Sequence, residues 1–539
     1  MAADVVPWPA DDAARYRVAG YWRGETYPEF LDRLVAAFGD RTAVVDDRVR
    51  LSYAELAERA GRVARGLRDL GVAAGDRVLV QLPNRAEFLV LWFALLELGA
   101  VPVLLRVDHR YAEVVHLARL SGAVAYVVPD VRARFDHREL AAAVRAAGPA
   151  VEHVVVVGDP GDSGFTAFDD LAADPSAEPV TGPAGSEDLA LLVVSEEGAG
   201  LPKLVPRTHD DHQCAARAVA EASGLDGDSV YLAALPVALH HTTTCPGVLG
   251  ALGASGAVVL ADDPDPARCF ELVEREGVTV TAIDPRLAPL WLEESRVTDA
   301  DLSTLRVVQV VGSRLPDDLT RQVLDGFDCA VQRGFGLAEG LICLTGSDDP
   351  AEAVRTTCGR PISPADEIRV VDERDVDVPP GEVGELLAKG PYTLRGYHGE
   401  AEHDPAAFLD GFHRTGDLVR RLPSGHLVVV GRREDQIRRG GEKIAAPEVE
   451  GHLRAHPGIR SAALLPAPDP VLGERSVAFV VPSGRIAPTR ETLAVYLVDR
   501  GLAAHEVPDE MRVLGEMPLT PVGKVDRRAL TRLLGGATG

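Results

Sequence analysis

A chain of 539 residues is too long for one compact core and calls for a large part and at least one smaller domain, with 46% hydrophobic residues to fill them. Its 82 Asp and Glu against 56 Lys and Arg leave a net charge of −26, which argues against a nucleic-acid or anionic-membrane surface. Six scattered cysteines without a C-x-x-C pair argue against zinc or a disulfide framework and fit a reducing cytoplasm.

The first residues, MAADVVPWPADDAARYR, contain no cationic segment leading into an apolar core, so no secretory signal is expected. Residues 30–38 have helical periodicity and residues 42–46 alternate as a strand. Ser52 and Glu55 are spaced as a capping box at the mouth of an amphipathic helix. A turn and strand follow over residues 75–82, then an apolar run over 88–98 that is too short to span a membrane and predicts a buried helix. A strand at 101–105 continues an alternation of strand and helix that runs past residue 190, the pattern of parallel sheet covered by helices.

Residues 189–194 predict a strand that feeds the small-residue loop Ser195-Glu196-Glu197-Gly198-Ala199-Gly200-Leu201-Pro202-Lys203. Backbone N–H groups of such a loop, with a hydroxyl and a lysine beside them, can cradle an anion, although two carboxylates sit in its middle. Further strands are expected at 229–235, 278–283 and 305–311, the last ending in Gly312-Ser313, and the glycine-rich residues 247–256 predict a closely packed helix. Near residue 430 a strand runs into a dense charged turn, residues 433–443, read as a hinge. Residues 447–456 and 490–502 then predict helices, and 461–465, 477–481 and 511–514 strands. The expected fold is α/β: a large N-terminal domain, residues 1–431, of mixed and parallel sheets covered by helices, and a small mobile α+β domain, residues 432–539.

Four further stretches join the loop in a recognisable order. They are Gly334-Phe335-Gly336-Leu337-Ala338-Glu339-Gly340, Arg414-Thr415-Gly416-Asp417-Leu418, Gly431-Arg432-Arg433-Glu434-Asp435-Gln436-Ile437 with Gly440-Gly441-Glu442-Lys443-Ile444, and Pro521-Val522-Gly523-Lys524-Val525. Together they resemble the motifs of the adenylate-forming superfamily, and in particular its stand-alone aryl-acid–AMP ligases, over nearly the whole chain. A solitary charged residue in a long acidic chain is ordinarily solvated surface. The shared motif context marks Glu339, Asp417, Arg432 and Lys524 as functional instead.

The resemblance implies ATP/AMP and Mg²⁺ as nucleotide and metal, with Glu339 ligating the metal, Asp417 accepting from the ribose hydroxyls and Arg432 assisting at ribose or phosphate. Ser195, Gly200, Lys203, Gly334, Phe335 and Gly336 would line the nucleotide site. Lys524 would place its ammonium on the carboxylate and bridging oxygen as charge shifts. The small domain would then swing about Glu434 to admit a phosphopantetheine thiol. The acyl pocket would be formed by Leu239, His240, His241, Gly312, Ser313 and Gly340.

Two stretches depart from the family pattern. The loop ordinarily carries glycines where this chain has Glu196 and Glu197, and hydroxyls where it has Gly198 and Ala199. A carboxylate about 5 Å from a phosphate charge costs roughly 3 kcal/mol at an effective dielectric near 20, and each lost donor about 1 kcal/mol. Glu196 and Glu197 therefore weaken ATP binding unless they turn outward or bind metal. In the acyl segment, Leu239, His240 and His241 stand where the family has His, Asn and an aromatic, so the acid differs from ordinary 2,3-dihydroxybenzoate or salicylate, and His240 is a candidate contact or general base.

The resulting expectation is an enzyme that activates an aromatic carboxylic acid as its acyl-adenylate and passes it to an aryl carrier protein's phosphopantetheine or to CoA, in natural-product assembly, with neither nucleic acid nor membrane as partner. Two alternatives stand beside it. One is a relative that has lost adenylation and condenses a pre-activated aryl adenylate or thioester; the other is a non-catalytic scaffold that docks a carrier protein.

Overall fold

Eleven of the 13 residues of the helix Ala86–Leu98 are buried, and a helix apolar on every side needs cover on every side. In the computed structural model that cover is two β-sheets. The structure describes residues 5–147, 150–172, 180, 182, 185–195, 202–244, 247–312, 317–399, 406–433, 436–439, 442–484, 487–500, 502–503, 505–519 and 525–535. These divide into two compact units, Met1–Ile368 with Ala388–Arg414, and Arg369–Leu387 with Thr415–Gly539.

The first sheet of the larger unit has nine strands in the spatial order Arg360–Pro361, Ile342–Leu344, Ala330–Gly336, Val307–Val310, Val280–Ile283, Val230–Ala233, Ala257–Leu260, Thr42–Val45, Arg50–Ser52. Its six inner strands are parallel, and antiparallel strands close both edges. The second sheet has seven strands, Lys203–Thr208, Leu189–Ser195, Val101–Leu104, Arg77–Val80, Ala125–Pro129, His153–Val157 and Thr166–Ala167. All its pairs are parallel except the first.

Alternate residues of each strand point to opposite faces. Val44, Tyr231 and Val258 of one sheet and Val78, Val80 and Val127 of the other meet the helices Tyr53–Leu70 and Ala86–Leu98 in a shared core. Leu79, Tyr126 and Val156 face outward onto a second core under the helices Tyr111–Ser121 and His137–Ala146. Ser52 and Glu55 form the expected capping box, the Ser52 side chain accepting from the Glu55 N–H and the Glu55 carboxylate from the Ser52 N–H. The α/β architecture expected from the alternation is present.

The loop at 195–203 joins two antiparallel strands, Leu189–Ser195 and Lys203–Thr208, and the helix His209–Ala222 starts only after the second. In the smaller unit the strands Ile459–Asp469 and Gly473–Pro482 pair antiparallel, Glu510–Val513 adds parallel to the second, and the helices Ala446–Arg454 and Arg490–Asp499 pack on one face. The charged segment read as a turn holds two short antiparallel strands, Gln436–Arg439 and Glu442–Ala445. Ile437 and Ile444, both fully buried, face each other across that pair and drive it, a period-two signal hidden among charges. The helix Arg527–Gly535, unforeseen in the sequence, anchors Leu530 on the other face.

Leu91 is wholly buried in the helix held between the sheets. Leu91→Ala should lower unfolding free energy by about 2–5 kcal/mol, read as a lower urea midpoint with unchanged slope.

Candidate active site

Ala330–Gly336 ends the parallel run of the nine-stranded sheet, so the residues after it emerge at the strands' carboxyl ends, where α/β sheets ordinarily bind ligands. A Cβ at Gly334 would lie 2.9 Å from Leu344 Cδ2 and 3.0 Å from Val311 Cγ1, so those side-chain ends would have to shift to admit one. Phe335 is buried, whereas Gly336 is exposed. Gly340 has φ +139° and would set a Cβ 2.4 Å from the Tyr392 carbonyl oxygen. Only glycine permits that approach. It brings the 392–397 backbone alongside Glu339, whose carbonyl accepts from the Leu394 N–H at 2.6 Å.

The Glu339 side chain is 3% exposed. Its Oε1 accepts from the Tyr397 hydroxyl at 3.1 Å, and its Oε2 is buried without a hydrogen-bond partner. The Lys203 ammonium lies 4.1 Å from the centre of the Tyr397 ring, a cation–π contact. Lys203, Tyr397 and Glu339 thus form one chain of contacts linking the exit of the small-residue loop to the acidic motif. Sequence reasoning missed Tyr397; an aromatic residue just after Arg395-Gly396 was the available signal. Among the described residues no group of three or more His, Cys, Asp or Glu could hold a metal by itself. A lone carboxylate with an unpartnered oxygen suits Mg²⁺, which typically takes one or two carboxylates and completes its shell from water and phosphate.

His240 opens the short helix His240–Thr244 and is 8% exposed. Both its ring nitrogens are buried without hydrogen-bond partners. Burial, reinforced by the Arg207 guanidinium and by His241, holds its pKa well below the ordinary imidazole value, so the ring is neutral near pH 7. Its ring centre lies 5.9 Å from that of His212, which sits between the Tyr27 hydroxyl, 2.6 Å from Nδ1, and the Thr244 hydroxyl, 3.1 Å from Nε2. Burial, Arg207 and His240 keep His212 neutral as well.

Arg207, 1% exposed, pairs with Asp211 at 2.9 Å and donates to the Tyr392 carbonyl at 2.8 Å. The loop before His240 is held by Asn84, which sequence reasoning also missed. Its side chain donates to the Ala233 and Leu235 carbonyls at 2.8 and 2.9 Å and accepts from the Val237 N–H at 2.7 Å. Leu239 and His241 are half-buried. Gly312 is exposed with φ +101°, and Ser195, 3% exposed, ends its strand.

In the smaller unit Asp417 and Arg432 face each other across antiparallel strands. Arg432 Nε donates to Asp417 Oδ1 at 3.1 Å, and the Asp417 N–H donates to the Thr415 hydroxyl at 3.0 Å. Gly416, at φ +72°, supplies the bend between Thr415 and Asp417. Asp417 is 4% exposed. The structure therefore joins two pairs of sequence-chosen residues, Lys203 with Glu339 through Tyr397, and Asp417 with Arg432 directly. Glu196, Glu197, Gly200, Ser313, Glu434 and Lys524 lie outside the described residues.

The larger unit thus carries a glutamate past a strand end with an unpartnered oxygen and a lysine leaving a small-residue loop, and the smaller unit an Asp–Arg pair. The chain belongs to the AMP-binding enzyme family, whose model matches residues 31–398, with the AMP-binding enzyme C-terminal domain matching residues 448–524. It is 45% identical to a 2,3-dihydroxybenzoate-AMP ligase of Bacillus subtilis (strain 168), over 98% of this chain and 97% of the relative. It is 46% identical to a salicyl-AMP ligase / salicyl-S-ArCP synthetase of Mycobacterium tuberculosis, over 99% and 95%. Among solved structures, Mycobacterium smegmatis MbtA in its apo form matches with TM-score 0.77 and 42% identity, over 98% of this chain and 99% of that one.

Two buried histidines of the larger unit give a pH dependence. Burial lowers the pKa of His209 to about 4, and burial together with Lys203 does the same for His413. In the unfolded chain both titrate near pH 6.5, so between about pH 6.5 and pH 4 the unfolded state binds more protons and stability falls as pH falls. The loss should approach about 3 kcal/mol for each group by pH 4, and His413→Gln should flatten the slope of urea midpoint against pH in that window.

Proposed function

We propose that this chain activates an aromatic carboxylic acid with ATP, forming the acyl-adenylate and pyrophosphate, and then transfers the acyl group to the phosphopantetheine thiol of a carrier protein or to CoA in a cytoplasmic biosynthetic assembly. The observation that carries the reading is the buried Glu339 carboxylate, held by Tyr397 on one oxygen and unpartnered on the other, beside Lys203. Full-length likeness to ligases that are named for 2,3-dihydroxybenzoate and salicylate supports the acid class. It also favours adenylation over a role confined to pre-activated substrates or docking.

Each residue then has a task. Glu339 would hold Mg²⁺, which when bound neutralises phosphate charge. Lys203 adds positive charge at the loop's exit, and Asp417, oriented by Arg432, accepts from the ribose hydroxyls. Lys524 supplies its ammonium to the carboxylate oxygen under attack. Residues 432–539 form the mobile domain that carries Lys524 and turns about Glu434. His240, neutral and unpartnered, offers one N–H donor and one nitrogen acceptor to the acid, which suits a ring substituent next to the carboxylate that can both donate and accept.

ATP–pyrophosphate exchange over a panel of substituted benzoates and picolinates tests the reading. Exchange is expected with at least one ortho-substituted acid, and Glu339→Gln should lower kcat by roughly 10²-fold or more, the scale for removing a preorganised electrostatic group. Absence of exchange, with product still formed from a synthetic aryl adenylate, would overturn it. His240→Phe should raise KM for the preferred acid about fivefold or more while leaving KM for ATP in place, because a buried polar contact is worth at least about 1 kcal/mol. If Glu196 and Glu197 face the phosphates, replacing both by glycine should tighten ATP binding in calorimetry by orders of magnitude, as loss of a repulsion of about 3 kcal/mol per carboxylate requires.

A further inference from the structure

The larger unit contains a cavity of about 750 Å³. That size lies within the roughly 300–1,000 Å³ of small-molecule sites. Arg77, Val101 and Leu189 line it, and each is the first residue of its strand in the seven-stranded sheet. The cavity therefore opens at the amino ends of these parallel strands, whereas ligands of such sheets ordinarily lie at the carboxyl ends. Leu189 and Ser195, at opposite ends of one strand, are about 20 Å apart at the usual rise per residue.

Its lining combines an aromatic wall with donors that lack acceptors. The Trp8 and Trp22 rings meet edge to face at 5.0 Å, and the Trp22 indole N–H is fixed on the Pro391 carbonyl at 2.9 Å. Arg395 stands over Trp8, 5.7 Å from the ring centre, and donates to the Gly411 carbonyl at 3.2 Å. Its Nε is buried without a hydrogen-bond partner, and it forms no ion pair with a described carboxylate. Burial lowers its pKa by more than Asp12 and Tyr16 raise it, as expected for a cation with no close counter-ion.

Two further buried groups in the lining have no hydrogen-bond partner, Arg207 Nη2 and the Thr393 hydroxyl. They are neighbours, since Arg207 Nη1 holds the carbonyl of Tyr392, the residue before Thr393. The remaining charges of the wall are already engaged. Arg17 pairs with Glu187 at 2.5 Å and Asp210 at 3.1 Å, Arg77 donates to the Ser121 and Gly75 carbonyls, Asp211 holds Arg207, and Asp188 accepts from the Gly185 N–H. A guanidinium with no close counter-ion in the wall of a largely apolar cavity favours charge-assisted bonds to a carboxylate.

We propose that this cavity is a second ligand site, distinct from the acid-activating one, for a small monocarboxylate with an apolar aromatic body. The carboxylate sits on the Arg395 guanidinium, and the ring packs against Trp8 and Trp22. The proposal does not depend on adenylation, so its failure and that of the functional reading are separate results.

Isothermal titration of the full chain with 4-phenylbutyrate tests it, using the wild type, Arg395→Gln, His240→Phe, and Ala14→Trp, which fills the cavity from an exposed position on the helix Ala10–Val18. Binding is expected in the wild type and, with the same affinity, in His240→Phe, and at least tenfold weaker in Arg395→Gln and Ala14→Trp. Tryptophan emission of the wild type should change on binding, since two of the four tryptophans line the cavity. Thermal melts followed by circular dichroism confirm that each variant is folded, and Ala14→Trp decides the matter should Arg395→Gln not fold. No binding to the wild type, unchanged affinity in a folded cavity variant, or a loss that follows His240→Phe overturns the proposal.

Discussion

The candidate site depends on one close approach, the backbone of Gly340 against that of Tyr392 and Thr393. No side chain fits between them, because a Cβ on Gly340 would stand 2.4 Å from a carbonyl oxygen. The approach lets Leu394 bond to the Glu339 carbonyl and sets Tyr397 within reach of the Glu339 carboxylate. Tyr397 then receives Lys203 on its ring face. A glycine at a positive φ thus connects three segments far apart in sequence, and the orientation of the acidic residue follows from it.

Burial governs the other half of the site. His209, His212, His240 and His413 all lie in apolar surroundings or beside cations, and in each the charged imidazolium is disfavoured. His209 and His212 hold hydrogen-bond partners at their ring nitrogens, while His240 keeps both nitrogens unpartnered. A neutral imidazole can donate at one nitrogen and accept at the other. It is less suited to act as a base, because a strongly lowered pKa weakens its hold on a proton. That bears against the condensation chemistry the paired histidines suggested in the sequence.

Much of the fold was legible in the residues. The Ser52–Glu55 cap, the apolar helix at 86–98, the valine-rich strands and the small domain's order of elements carry strong local signals, and the structure contains each of them. Less legible were features whose signal is not local. The strands around Ile437 and Ile444 hide a two-residue period among charges, and the helix Arg527–Gly535 follows a loop with no apolar run before it. Asn84 and Tyr397 carry no motif, because each works through groups more than fifty residues away.

What the sequence by itself determined is the class: five motifs in family order, each a short run of residue types that phosphate, ribose and metal chemistry demand, so their meaning survives without coordinates. Tertiary structure alone decided which side chains meet. Glu339 faces Tyr397, Asp417 pairs with Arg432 across a strand register, and Arg395 stands over Trp8 with a donor left unmatched. Those pairings arise from sheet register, close packing and burial, which couple residues distant in sequence, and no local pattern of residue types encodes a contact of that kind.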